Sequence, residues 1–152
     1  MGWGPMNKLV KLFSLALAPL WITQITAVEA ANTTSNPVIA LQLNKAETTQ
    51  SGCRVSLLVR NHLQDEIKQL ALDLVVFDST GGISDFLSMK TGRLPSGKTR
   101  VQQYDLPSSS CADISSLLIN DVSQCEGAEN VSPARCLDSL NVSSRAAIEL
   151  TL

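Results

Sequence analysis

"CRVSLLVRN", Cys53 to Asn61, sets Val55, Leu57 and Val59 against Arg54, Ser56 and Arg60. Successive side chains of an extended strand point to opposite faces, so this period of two predicts a β-strand with one buried side and one wet side. The next apolar stretch, "KQLALDLVVFD" (Lys68 to Asp78), carries Leu70, Leu72, Leu74 and Val76 on one face and Ala71, Val75 and Phe77, interrupted by Asp73, on the other. That pattern predicts a strand inside a sheet and raises the question of what its second apolar face meets.

Five further strand-length runs surround these two. They are "VIALQLNKAE" (Val38 to Glu47), "ISDFLSMK" (Ile83 to Lys90), "TRVQQYDL" (Thr99 to Leu106), "SSLLINDV" (Ser115 to Val122) and "AAIELTL" (Ala146 to Leu152). The intervals "SG", "NHLQDE", "STGG", "LPSG" and "LPSSS" are built from turn formers, and none holds a sustained helical period. The expectation is an all-β, seven-stranded antiparallel immunoglobulin-like sandwich over residues 38–152. In that topology the second strand lies beside the fifth, and the sixth beside the third.

The chain opens with Lys8 and Lys11 ahead of an apolar run from Leu12 to Ile22, then small residues at Val28 and Ala30. These are the parts of a secretory signal peptide, expected over residues 1–30, with 31–37 as a flexible lead-in. The run is short for a membrane span of ~20 residues and no second one follows, so no membrane insertion is expected after cleavage. A net charge of −2 with both signs scattered argues against nucleic acid as a partner. Trp3 and Trp21 fall in the leader, which leaves Phe77, Phe86 and Tyr104 as the aromatics beyond it and disfavours a stacking site for sugars or bases.

Cys53, Cys111, Cys125 and Cys136 form an even set without a Cys-x-x-Cys, the usage of structural disulfides in an oxidising compartment. Four cysteines allow three pairings. Antiparallel second and fifth strands bring the start of one beside the end of the other, which predicts Cys53 with Cys111 and leaves Cys125 with Cys136.

Three stretches imitate catalytic motifs. "GRLPSGKT" (Gly92 to Thr99) matches a phosphate loop in letters, but such a loop opens a helix, and "TRVQQYDL" reads as a strand. A β-turn over Leu94 to Gly97 is expected instead. "LVVFDSTGG" has Thr80 where a phosphotransferase of the haloacid-dehalogenase kind needs a second aspartate. His62, the only histidine, is expected in an exposed turn. No catalytic residue, metal ligand or cofactor site is predicted.

The stretches "GCRVSLLVRN", "LALDLVVFD", "LPSGKT", "DLPSSSC", "ISSLLINDVSQCEG", "CLDSL" and "SSRAAIEL" resemble a family of small, uncharacterised secreted proteins of alphaproteobacteria, often labelled twin-arginine-pathway signal proteins. The leader has no Arg-Arg pair, so export by the general secretory route is expected. The resemblance implies a periplasmic location and supplies no catalytic residues. The leading expectation is a non-catalytic, protein-binding envelope module, with a small-ligand carrier or a hydrolase as alternatives. Its expected partner-binding residues are Val75, Phe77 and Leu118, on a face that meets another envelope protein or a second copy unless the loop Gly127 to Asn141 folds over it.

Overall fold

The computed structural model describes residues 1–4, 38–106 and 110–152. Most of the expected leader, the expected lead-in 31–37 and residues 107–109 lie outside them. The sandwich belongs wholly to the second of two units, Thr34–Leu152. Its strands are β1 (Ile39–Thr49), β2 (Gly52–Asn61), β3 (Ile67–Asp78), β4 (Ile83–Thr91), β5 (Thr99–Leu106), β6 (Ile114–Gly127), β7 (Leu140–Ser144) and β8 (Glu149–Thr151), with a short helix α1 at Pro133–Asp138.

Two four-stranded sheets result, sheet A in the order β5-β2-β1-β7 and sheet B in the order β4-β3-β6-β8. The alternation read from the sequence becomes the core. Leu41, Leu43, Val55, Leu57 and Val59 face Leu70, Leu72, Leu74, Val76 and Leu117 across the gap, and all are buried. Each such aliphatic side chain contributes ~1.5–3 kcal/mol on leaving water. The expected neighbours are present, since β2 pairs antiparallel with β5 and β3 antiparallel with β6.

Two features differ from the expectation. The sandwich has eight strands rather than seven, and two of its pairings, β1–β7 and β6–β8, are parallel. The segment expected as one final strand is preceded by β7 on sheet A. The chain then turns at Arg145 to Ile148, where the Ser144 hydroxyl donates to the Ile148 carbonyl at 2.6 Å and accepts from the Ala146 amide at 3.2 Å, and crosses to sheet B. Because β6 leaves the sandwich at one end and β8 re-enters from the other, β8 runs in the same direction as β6.

Both disulfides pair as expected, Cys53–Cys111 and Cys125–Cys136. They sit at opposite ends of β6. The first ties the start of β2 to the segment entering β6, and the second ties the end of β6 to α1.

The end near α1 is organised by Asn61, which is fully buried. Its amide nitrogen donates to the carbonyls of Asp65 and Leu94, both at 2.8 Å, and its side-chain oxygen accepts from the Leu63 amide at 2.9 Å. One side chain thereby joins the β2–β3 turn to the β4–β5 loop. Gly127 packs there too, and a Cβ on it would stand 2.4 Å from the Glu66 carbonyl oxygen and 2.9 Å from Val131. Thr91 marks the opposite situation, a buried hydroxyl with no partner among the described residues.

Asn61→Ala removes the side-chain partners of the Asp65 carbonyl and the Leu63 amide and one of the two donors to the Leu94 carbonyl, which keeps the Ile67 amide, and is expected to cost ~2–4 kcal/mol in denaturant unfolding. Thr91→Val removes an unsatisfied hydroxyl at nearly constant volume, and should hold or raise stability by up to ~1 kcal/mol in the same measurement.

Candidate interaction surface

The two outer faces of the sandwich have opposite character. On sheet A the Arg54 guanidinium donates to the Asp105 carboxylate at 2.6 and 2.9 Å, and the Gln103 amide donates to the Ser56 hydroxyl at 3.0 Å. Leu58 and Val101 are the apolar pair among them. That face is solvated in the ordinary way of an antiparallel sheet.

On sheet B the register sets Val75 between Phe86 of β4 and Leu118 of β6, with Phe77 opposite Ile83 one row further on. Val75 is only 5% exposed because its two large neighbours flank it, while Phe86 is 71% and Ile83 59% exposed. Phe77 and Leu118 are half-buried. The three residues singled out from the sequence thus meet on one face, and the structure adds Phe86 and Ile83. Their signal lay in the alternation of "ISDFLSMK", where Phe86 shares a face with Ser88 and Lys90 and so reads as part of a polar side.

The loop after β6 leaves this row open. Val131, Arg135 and Cys136 border the β2–β3 turn at Leu63 to Asp65, around a 360 Å³ cavity at the end of the sandwich. Pro133 reaches only the far part of the face, beside Ala71, Ser123 and Lys90. A separate open groove of 350 Å³ has Val75 in its floor and Asp73, Phe86, Ser88 and Asn120 around it.

Carboxylates surround the apolar row. Asp73 stands opposite Asp121 across β3 and β6 and accepts from the Ser88 hydroxyl at 3.1 Å. Glu149 pairs with Ser116 at the edge, whereas Asp85, opposite the core residue Val76, belongs to the other side of β4 from Phe86. Among the described residues Asp73, Asp121 and Glu149 make no salt bridge. The chemistry available to this face is apolar contact combined with attraction for positive charge.

The edge of β4 is partly occupied by side chains. The Tyr104 hydroxyl accepts from the Lys90 amide at 3.1 Å and donates to the Lys90 carbonyl at 3.2 Å. The Asp85 carboxylate takes the Phe86 amide at 2.8 Å. Each backbone group so held must be freed before another chain can pair there, which disfavours strand addition at these residues.

The motif look-alikes are turns. Lys98 is exposed, and its amide donates to the Pro95 carbonyl at 2.9 Å across Gly97, whose φ of +74° suits glycine. That turn spans Pro95 to Lys98, one residue later than the sequence reading placed it, and runs into β5 rather than a helix. His62 is exposed at the β2–β3 turn. Asp78 closes the β3–β4 turn by accepting from the Thr80 hydroxyl at 2.6 Å, the Thr80 amide at 2.8 Å and the Gly82 amide at 3.0 Å.

These contacts hold the Asp78 carboxyl below the usual aspartate range, the Thr80 hydroxyl first among the causes. The Arg54 guanidinium does the same for Asp105, and the Arg93 guanidinium for Glu66. A depressed folded-state value adds stability above the unfolded value, and that stability disappears as pH falls through the folded one. Stability should therefore be flat through neutrality and decline below about pH 4. Asp78→Asn should make the decline shallower, as measured by thermal unfolding across a pH series.

The chain matches no protein-family model, no curated protein and no solved structure. The functional reading therefore rests on its own residues.

Proposed function

We propose that the protein is a non-catalytic, protein-binding accessory or adaptor module of the bacterial envelope, delivered to the periplasm by a cleaved signal peptide. The observation that carries this reading is the open apolar row of Phe77, Val75, Ile83, Phe86 and Leu118 on the outer face of sheet B. A contiguous exposed apolar patch ringed by polar groups is the usual mark of an interaction site. The disulfides agree with an oxidising, extracytoplasmic compartment. Among the described residues no helix is long and apolar enough to cross a membrane.

The test places a photoreactive side chain at position 86 in living cells, with position 101, on the outer face of sheet A, as the control. Crosslinks to an envelope protein are expected from 86 and not from 101. Phe86→Asp, at an exposed site, should change stability by less than ~0.5 kcal/mol while abolishing association with the crosslinked partner. Retained association in that variant would defeat the proposal.

A further inference from the structure

We infer that the outer face of sheet B docks a basic amphipathic segment, one whose apolar side chains are flanked by lysine or arginine two to three residues away. The inference rests on the reading of this face as a protein-binding surface, and it names the partner's chemistry.

Charge is the first argument. The strands of sheet B carry Asp73, Asp78, Asp85, Asp121, Glu126 and Glu149 against only Lys68 and Lys90. Lys90 is four residues from Phe86 along β4, ~13 Å at strand rise. Lys68 lies at the start of β3, beyond Asp73 and Ala71. The carboxylates stand closer to the row: Asp73 is two residues from Val75, ~7 Å, and Asp121 three from Leu118, ~10 Å. Asp73 and Asp121 also face each other directly across the ladder, a like-charge pairing that opposes the sheet unless a cation lies between them.

The geometry then separates the occupants. A second copy stacked on this face through a two-fold axis would bring one acidic ring against another, which disfavours self-association. Addition of a strand to β4 would have to displace Tyr104 from both Lys90 backbone groups and Asp85 from the Phe86 amide. A partner lying across the face through its side chains meets neither obstacle. Its apolar residues enter the groove over Val75, between Phe86 and Asn120, and its cations reach Asp73 and Asp121.

The probe is a pair of synthetic peptides with one shared apolar core, flanked by lysines in the first and glutamates in the second, titrated into isotope-labelled protein and followed by backbone amide shifts. The lysine peptide is expected to shift the amides of Val75, Phe86 and Leu118 saturably, and the glutamate peptide to bind at least about tenfold more weakly. In ~0.5 M salt the lysine peptide should lose most of that advantage. Asp73→Asn with Asp121→Asn should weaken it about fivefold while holding or raising the melting temperature, because it removes the like-charge pair. Equal binding of both peptides, shifts confined to other residues, or the same amides shifting with protein concentration alone would overturn the inference. The crosslinking from position 86 distinguishes the two levels: a partner joined through a segment without Lys or Arg overturns the inference and leaves the protein-binding reading intact, whereas no crosslinked partner removes both.

Discussion

The ladder between β3 and β6 is the interaction on which the rest of the sandwich depends. Both are inner strands of sheet B, and their inward rows, Leu70 to Val76 and Leu117 to Val122, form half of the core. β3 is flanked along most of its length by β4 and β6, while β8 covers β6 only at Ser116 to Leu118, so the ladder with β3 is the main backbone pairing of β6. β6 repeatedly breaks register along the ladder, between Ala71 and Asp73, Asp73 and Leu74, and Phe77 and Asp78 among others. Such irregularities bend a strand and raise its local twist. The one about Asp73 sets Asn120 and Asp121 beside the groove over Val75.

Both covalent links bracket this same strand. Cys53–Cys111 joins sheet A to the chain just before β6, and Cys125–Cys136 joins the last turn of β6 to the helix that leads back to sheet A. The bridges therefore connect the two sheets at opposite ends through one element, the connection most exposed to loss if the sheets separate. The loops they close constrain the unfolded chain, a loop of ~60 residues contributing ~4 kcal/mol and one of ~10 residues ~3 kcal/mol in the chain-entropy account.

The asymmetry of the outer faces carries the functional argument. Sheet A spends its outer positions on paired charges and hydrogen-bonded amides, as solvated antiparallel sheets do. Sheet B has Phe77, Val75, Ile83, Phe86 and Leu118 at the same positions, with Asp73, Asp121 and Glu149 about them, none in a salt bridge among the described residues. The adjacent edge of β4 is occupied by Tyr104 and Asp85. An apolar face with carboxylates at its rim, beside a β4 edge on which side chains already hold the Phe86 amide and both Lys90 backbone groups, is what supports the proposed protein-binding reading.

Alternation in "CRVSLLVRN" and "KQLALDLVVFD", with five further strand-length runs, was enough for an all-β sandwich, and the immunoglobulin-like topology assumed for seven runs supplied the β2–β5 and β3–β6 neighbours and, through them, both disulfides. The reason for the first is local: a period of two has only one way to bury its apolar side. The same alternation put Val75, Phe77 and Leu118 on the outer face. It could not bring Phe86 and Ile83 to them, because the partner of a residue across a ladder is set by register, and the register of β4 is shifted by the irregularity at Val76 and Phe77. Nor could it reveal β7, since "LNVSS" is five residues whose strand conformation comes from the unfilled side of β1. Whether the second apolar face of β3 is covered was decided by where the chain after β6 packs. That depends on Cys136, α1 and the end of the sandwich at Asn61, all contacts between residues far apart in sequence.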